Sequence, residues 1–140
     1  MKSKLTRLIG VTLIVMTLIM VNFSCKNKSK KDNNKTELTT ISYPKEIYDF
    51  GELKPGEKVI HTFRIKNTGE HPFVISRINS GCSCTIIKYD KKPLKKGEEL
   101  KIDVEFDSTS RYGKQLKTIM VYGNVNTGGI PLRFTANIKQ

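Results

Sequence analysis

Leu100-Lys101-Ile102-Asp103-Val104-Glu105-Phe106-Asp107 alternates apolar and charged side chains at every position. Successive side chains of a β-strand point to opposite faces, so this pattern predicts a strand with one face in a core and the other in water. The stretch from Lys58 to Lys66 has the same period, with Val59, Phe63 and Ile65 on one side. No stretch after the amino-terminal segment has an apolar stripe of helical period. We therefore expect an all-β domain.

Short apolar runs continue on both sides of these two strands. Gly, Pro and Asn separate the runs, which begin at Ile47, Phe73, Thr85, Leu116 and Ile130. About seven short strands with frequent turn signals predict a β-sandwich of immunoglobulin type. Proline removes a backbone donor, so Pro44 and Pro131 suggest that the first and last strands lie at sheet edges.

The core is expected to form from the apolar faces of the alternating strands. The residues assigned to it are Phe63, Ile65, Leu100, Ile102, Val104, Phe106 and Phe134. Truncating a buried phenylalanine to alanine typically costs about 3 to 5 kcal/mol, so Phe63→Ala and Phe106→Ala should both destabilise the domain strongly.

The amino-terminal residues predict export. Lys2, Lys4 and Arg7 precede sixteen uncharged residues that end at Phe23. A helix of that length spans about 24 Å, which is short of the ~30 Å bilayer core, so residues 1–24 are interpreted as a helical secretory signal peptide. The end of this segment resembles the cleavage site of a bacterial lipoprotein, in which Cys25 receives the lipid. An ordinary cleaved signal that leaves a free thiol at Cys25 is the alternative.

Residues 25–40 are lysine-rich and almost free of apolar side chains, so they are expected to form a disordered tether before a domain at 41–140. The whole chain carries a formal charge of +12, but from Ile41 onward 17 Lys and Arg face 11 Asp and Glu, a net charge of +6. An exported chain seldom meets nucleic acid, so we expect no nucleic-acid partner. We expect a lipid anchor in the inner or outer membrane, with the domain facing the periplasm.

Cys82 and Cys84 form a Cys-x-Cys step between two apolar runs. In an extended strand their Cα atoms would lie roughly 6.5 to 7 Å apart, whereas a disulfide prefers about 5.5 to 6 Å. Three interpretations are open: two packed thiols at a strand kink, a tight disulfide in a bent backbone, and a metal or redox site. A metal site needs further ligands, and nothing in the sequence brings His61 or His71 to the thiols.

Several short motifs carry a resemblance to a known family. They are Tyr48-Asp49-Phe50-Gly51, Gly56-Glu57, Phe63 to Gly69, Cys82-Ser83-Cys84-Thr85, Gly97-Glu98 and Phe106-Asp107-Ser108-Thr109. Together they resemble the family called domain of unknown function 1573, over roughly residues 45 to 137. That family is similar to immunoglobulin-like modules of sperm-protein, ciliary and pilus-chaperone type. The resemblance implies an exported bacterial immunoglobulin-like domain and no particular activity. The family usually has Cys-Gly-Cys where this chain has Ser83.

Catalysis is not predicted, since no nucleophile with a base, no paired carboxylates and no open metal site can be recognised. Asp103, Glu105 and Asp107 are interpreted as a solvated strand face. We expect a non-catalytic, membrane-anchored interaction module of the cell envelope, with no cofactor, metal ligand or catalytic residue. The alternative is a thiol redox or metal-binding protein centred on Cys82 and Cys84.

The partner is expected to be an envelope protein or peptide. Ile86 and Ile87 mark a candidate edge for it, because they place apolar groups on both faces of a strand that contains no proline. An extended partner segment could pair with that edge through backbone hydrogen bonds. The alternative is that this strand lies inside a sheet and is paired on both sides.

Overall fold

The computed structural model describes residues 37–139. The predicted signal peptide (1–24), the predicted lipid-acceptor Cys25 and the tether up to residue 36 lie outside the described residues. The described part contains eight strands: β1 (Ile41–Ser42), β2 (Tyr48–Leu53), β3 (Lys58–Asn67), β4 (Ile75–Asn79), β5 (Thr85–Tyr89), β6 (Glu99–Asp107), β7 (Gly113–Gly123) and β8 (Ile130–Ile138). No helix long and apolar enough to cross a membrane is found in this described part of the chain.

The strands form two four-stranded sheets. The first has the order β1-β3-β6-β5 and the second the order β2-β8-β7-β4. All neighbours are antiparallel except β2 and β8, which are parallel. The first strand of the domain is split, so that β1 joins one sheet and β2 the other. This arrangement confirms the predicted immunoglobulin-like β-sandwich.

The core lies between the two sheets and contains all seven residues expected from the alternating pattern. The Phe106 ring, from the first sheet, lies 5.3 Å from the Phe134 ring of the second, measured between centroids. Further fully buried side chains come from positions that the sequence analysis did not assign to the core, namely Phe73, Ile119, Val121, Ile130, Leu132 and Ile138.

The edge position suggested by Pro131 is wrong, because β8 lies between β2 and β7. β2 pairs with β8 only from Phe134 onward, so Pro131 lies beyond the end of β2 and interrupts no β2–β8 hydrogen bond. Pro44 lies between β1 and β2, where the chain passes from one sheet to the other.

The last four residues assigned to the tether, 37–40, contact the domain. Thr39 is buried, forms a parallel bridge with Val125 and donates its backbone N–H to the carbonyl of Asn124 at 2.9 Å. Its hydroxyl donates to Oδ1 of the buried Asn67 at 2.8 Å. Residues 37–40 therefore belong to the domain and not to the tether.

Candidate functional site

The connection from β4 to β5 joins an outer strand of one sheet to an outer strand of the other. β4 is an outer strand of the second sheet and β5 is an outer strand of the first, and residues 80–84 link them. We call residues 75–89 the β4–β5 arch. It contains Cys82, Cys84, Ile86 and Ile87, which are all the predicted site residues in the described part of the chain.

The turn of the arch contains a disulfide between Cys82 and Cys84, with the two Cα atoms 5.3 Å apart. Of the three interpretations left open by the sequence, the structure has the tight disulfide. The bend begins at Gly81, which has a φ of 71°. Ser110 is the only non-glycine residue with positive φ in the described part. Ser83 therefore needs no left-handed backbone, and a glycine at that position is not required for the turn.

Local hydrogen bonds hold the turn in place. The Gly81 N–H donates to Asn79 Oδ1, and the Ser80 hydroxyl donates to the Cys82 carbonyl, both at 2.9 Å. The Thr85 hydroxyl lies 3.6 Å from Cys82 Sγ. Cys84 is buried and Cys82 is half-buried, so Cys82 is the more exposed residue of the pair.

The other end of the arch is closed by a pair of backbone hydrogen bonds. Phe73, just before β4, and Leu94, in the loop after β5, each donate an N–H to the other's carbonyl at 2.9 Å. The Asn67 side-chain amide donates to the carbonyls of Leu94 and His71, both at 2.8 Å. These hydrogen bonds fix the segments just outside this end of the arch to each other and to the end of β3.

β5 is an edge strand, which answers the question that the sequence left open. The Asp107 N–H donates to the Cys84 carbonyl at 3.0 Å, and Ile86 lies opposite Glu105. Hydrogen bonding alternates along an antiparallel pair, so the amides of Ile86 and Lys88 face β6. Those of Thr85, Ile87 and Tyr89 face away from β6, where no strand of residues 37–139 pairs with them.

The two faces of β5 differ in character. Ile86 is half exposed and Lys88 is exposed, both on the outer face of the first sheet. On the inner side, half-buried side chains of β4, of β5 and of the turn between them pack against the core. We call them the arch seam, and they are Ile75, Ile78, Cys82, Ile87 and Tyr89. The sequence analysis identified Ile86 and Ile87 but not Tyr89, whose role depends on which strand lies beside β5.

A lysine-rich segment follows the carboxyl end of β5. Residues 88–96 contain five lysines and a single acid, Asp90. Lys92 pairs with Asp90 and Lys96 with Glu70, whereas Lys88, Lys91 and Lys95 have no ion pair among the described residues. Part of this segment borders a surface depression of about 710 Å³. This lysine cluster was readable from the sequence, but its position beside a free strand edge was not.

Neither histidine joins the cysteines. The His61 ring stacks on the Tyr48 ring with centroids 3.5 Å apart, and its burial lowers the pKa of the imidazole. His71 Nδ1 lies 2.6 Å from a carboxylate oxygen of Glu37. Within residues 37–139, no group of three or more His, Cys, Asp and Glu side chains is placed to hold a metal ion.

Solved structures share this fold at low sequence identity. A protein of unknown function from Porphyromonas gingivalis W83 matches 73% of this chain with a TM-score of 0.62 and 14% identity. The secreted serine protease VesC from Vibrio cholerae matches 76% of the chain (TM-score 0.57, 16% identity), and PapD-like domain 7 of human CEP192 matches 72% (TM-score 0.55, 13% identity). The chain covers 48%, 24% and 84% of these structures, respectively. These matches show the fold alone.

The family comparison is more specific. No curated protein matches the chain. The family described as "Protein of unknown function (DUF1573)" matches residues 41–138, which cover more than half of the chain and include both cysteines of the arch. The chain therefore belongs to the DUF1573 family.

Proposed function

We propose that this protein is a non-catalytic interaction module of the cell envelope that binds a partner protein along the free edge of β5. The observation that carries the proposal is the set of outward-facing amides of Thr85, Ile87 and Tyr89 on a strand that, among residues 37–139, pairs only with β6. An extended partner segment that hydrogen-bonds to these groups would become the fifth strand of the first sheet. Anchoring through Cys25 would keep the domain at the membrane.

The other sheet edges are less suited to strand addition. β1 is two residues long, and β4 has a register shift between Ile75 and Arg77. β2 also has a register shift, after Asp49. Short edges and bulges are the features by which natural sheets avoid pairing with other chains. β5 has neither feature nor a proline, so it is the more accessible template.

β3 is the remaining rival, because β1 covers only its last two residues, Lys66 and Asn67. In the uncovered part, the ring of His61 is stacked on that of Tyr48, the first residue of β2. A partner strand at β3 would have to displace this aromatic contact. We therefore place the docking edge at β5, and Ile60 on β3 serves as a control position.

Site-specific cross-linking in cells tests the proposal. A photo-crosslinking residue in place of Ile86 should give a discrete adduct with an envelope protein, and mass spectrometry should map it to an extended segment of that protein. The same residue at Ile60 or Leu116, whose side chains are 64% and 62% exposed, should give none. An adduct at Ile60 in place of Ile86 would move the docking edge to β3 and contradict the proposal.

A second pair of variants separates the backbone from the side chain. Ile87→Pro removes the outward N–H as well as the side chain, whereas Ile87→Ala removes only side-chain atoms. The adduct at position 86 should disappear in Ile87→Pro and persist in Ile87→Ala. Circular dichroism of both purified variants should show a folded β-domain. Loss of the adduct in both folded variants would show that the partner reads the side chain and not the strand edge.

Thiol exchange at the disulfide is a second candidate function, favoured by the greater exposure of Cys82 than Cys84. A partner thiolate would attack Cys82 Sγ and release Cys84 as a thiolate; a second partner thiol would then displace Cys82, leaving the partner oxidised and the pair reduced. Incubating the protein with a reduced dithiol peptide tests this. The exchange is supported if the peptide disulfide and the free thiols of Cys82 and Cys84 appear in equal amounts. An unchanged Cys82–Cys84 disulfide would exclude it.

A further inference from the structure

The geometry of the arch restricts what kind of segment can pair with β5. The strand is five residues long, or about 17 Å. At its amino end the chain turns into the disulfide, so the added strand cannot extend far past Thr85 in that direction. At its carboxyl end the open edge continues toward the lysine-rich segment. A partner segment that is longer than β5 therefore extends over the lysines.

The inner face of the added strand would lie against the arch seam. Side chains on that face would lie beside Ile78, Ile87 and Tyr89, which are half-buried against the core. A polar group buried there without a hydrogen-bond partner is destabilising, so these positions of the partner should be apolar. Because strand side chains alternate, the apolar positions should recur at every second residue.

The outer face and the far end of the added strand would meet positive charge. Lys88 is on the outer face of β5, next to the free edge, and Lys91 and Lys95 follow in the loop. None of these three lysines has an ion-pair partner among residues 37–139. Acidic side chains at the end of the partner would find cations that the domain itself leaves unpaired, with complementary charge favouring encounter and register.

We infer that the partner of the β5 edge is an extended acidic peptide segment, with apolar residues at alternate positions and its acidic end over Lys88, Lys91 and Lys95. This inference rests on the proposed function, since it identifies the chemistry of the segment that docks there. We assign an antiparallel direction, because antiparallel pairing is slightly more stable per residue and β5 already pairs with β6 in that way. The acidic end is then the amino end of the peptide.

Synthetic peptides test the inference directly. Each probe is a fluorescent peptide of alternating valine and threonine that begins with a run of aspartates, serines or lysines. Binding to the purified full chain in detergent is measured by fluorescence anisotropy at low salt and at about 1 M salt. The aspartate peptide should bind about tenfold more tightly than the serine peptide, as expected for several surface ion pairs. This advantage should shrink at high salt, where charges are screened within about 3 Å.

Two triple variants with the same change in net charge test which lysines cause the preference for the aspartate peptide. Replacing Lys88, Lys91 and Lys95 with serine should remove the preference for aspartate. Replacing Lys54, Lys66 and Lys114 with serine should leave most of it, because these exposed lysines lie on other strands and turns. Equal loss in both variants would show that net charge attracts the peptide and would overturn the assigned position.

Further outcomes distinguish the inference from the function on which it rests. If all three peptides bind equally and Ile87→Pro abolishes binding, the strand edge is correct and the acidic chemistry is wrong. If Ile87→Pro binds the aspartate peptide as well as Ile87→Ala does, docking at the β5 edge is itself wrong. Sedimentation of the chain alone gives the last outcome: self-association that Ile87→Pro removes would make a second copy the occupant and refute the acidic peptide.

Discussion

Replacing Asn67 with alanine is expected to destabilise the domain by about 3 to 4 kcal/mol. The residue ends β3 and is fully buried. Its Oδ1 accepts hydrogen bonds from the Thr39 hydroxyl at 2.8 Å and the Gly69 N–H at 3.0 Å. Its Nδ2 donates to the carbonyls of His71 and Leu94, both at 2.8 Å. One side chain thus holds the amino-terminal segment, the turn after β3 and the loop after β5.

The magnitude follows from where the four partners lie. The hydrogen bonds to Thr39 and Leu94 are buried, and those to His71 and Gly69 are half-buried. A buried group left without a partner costs about 1 to 3 kcal/mol, and a group that water can reach costs less. About 1.5 kcal/mol for each buried partner and a few tenths for each of the others give the expected 3 to 4 kcal/mol.

Asn124→Ala is the matched control, because it removes the same atoms. The Asn124 side chain also makes several hydrogen bonds, to Val74, Glu37 and Pro72, but all of them are exposed. Water can replace them, so the loss should be about 1 kcal/mol. Urea denaturation at neutral pH measures both variants. Similar losses of stability in Asn67→Ala and Asn124→Ala would refute the reasoning, since burial is the main difference between the two sites.

Hydrogen exchange gives a second readout of the same variant. The Leu94 N–H is bonded to the Phe73 carbonyl, and Asn67 bonds to the Leu94 carbonyl. In Asn67→Ala the protection of the Leu94 N–H from exchange should fall by more than the global loss of stability explains, because the loop after β5 opens locally. If the protection of the Leu94 N–H falls only as much as the global stability does, the Phe73–Leu94 pair holds the loop without Asn67.

Three further predictions concern the core, an acid and the anchor. Phe106→Ala should cost about 3 to 5 kcal/mol in urea denaturation, and Ile60→Ala, on the exposed face of β3, less than about 0.5 kcal/mol; comparable losses would contradict the strand register. Hydrogen bonds from Thr109 lower the pKa of Asp107 from 3.8 to about 2, so its stabilising effect is present above that ordinary value and lost as the pH falls toward 2. Wild type and Asp107→Asn should therefore differ in stability at neutral pH and converge near pH 2, and a constant difference would exclude this titration. Cys25→Ser should move the protein from the membrane to the soluble fraction on cell fractionation; a variant that stays with membranes would rule out the lipid anchor.

The fold was predictable because the two central strands of the first sheet have a clear period. Every second side chain is buried in most of β6 and in the second half of β3, so the alternation shows both the strand and its inward face. Phe73 was not assigned to the core because it belongs to no strand with such a period. It lies outside the regular strands and is buried through its bridge to Leu94, which is 21 positions away in the chain. A local pattern does not contain a contact of that kind.

Asn67 shows the same limit for a polar residue. An Asn-x-Gly sequence predicts a turn, and the structure has the turn, with the Gly69 N–H bonded to the Asn67 side chain. The sequence does not show that the same side chain is buried between Thr39 and Leu94, because those residues come from the predicted tether and from a distant loop. Thr39 itself was assigned to the tether because it lies in a polar segment, and it is buried through polar contacts.

The proposed docking edge could not be predicted from the sequence pattern, because it depends on the order of the strands. An edge strand and an interior strand of equal length can have the same alternation, so Ile86 and Ile87 identified a strand with two apolar faces but not its neighbours. The strand order shows that β6 is its only partner in the described part of the chain. The outward direction of the Thr85, Ile87 and Tyr89 amides then follows from the register with β6.

The disulfide and the docking edge are best understood together. Binding an extended segment requires that the receiving amides be held in strand geometry, since ordering them on binding would reduce the affinity. The Cys82–Cys84 turn fixes β5 at its amino end, and the Phe73–Leu94 pair, supported by Asn67, fixes the loop beyond its carboxyl end. A strand held at both ends and paired on one side presents its free edge already extended. If a partner segment docks at this edge as proposed, the cysteine pair has a structural role that requires no redox chemistry.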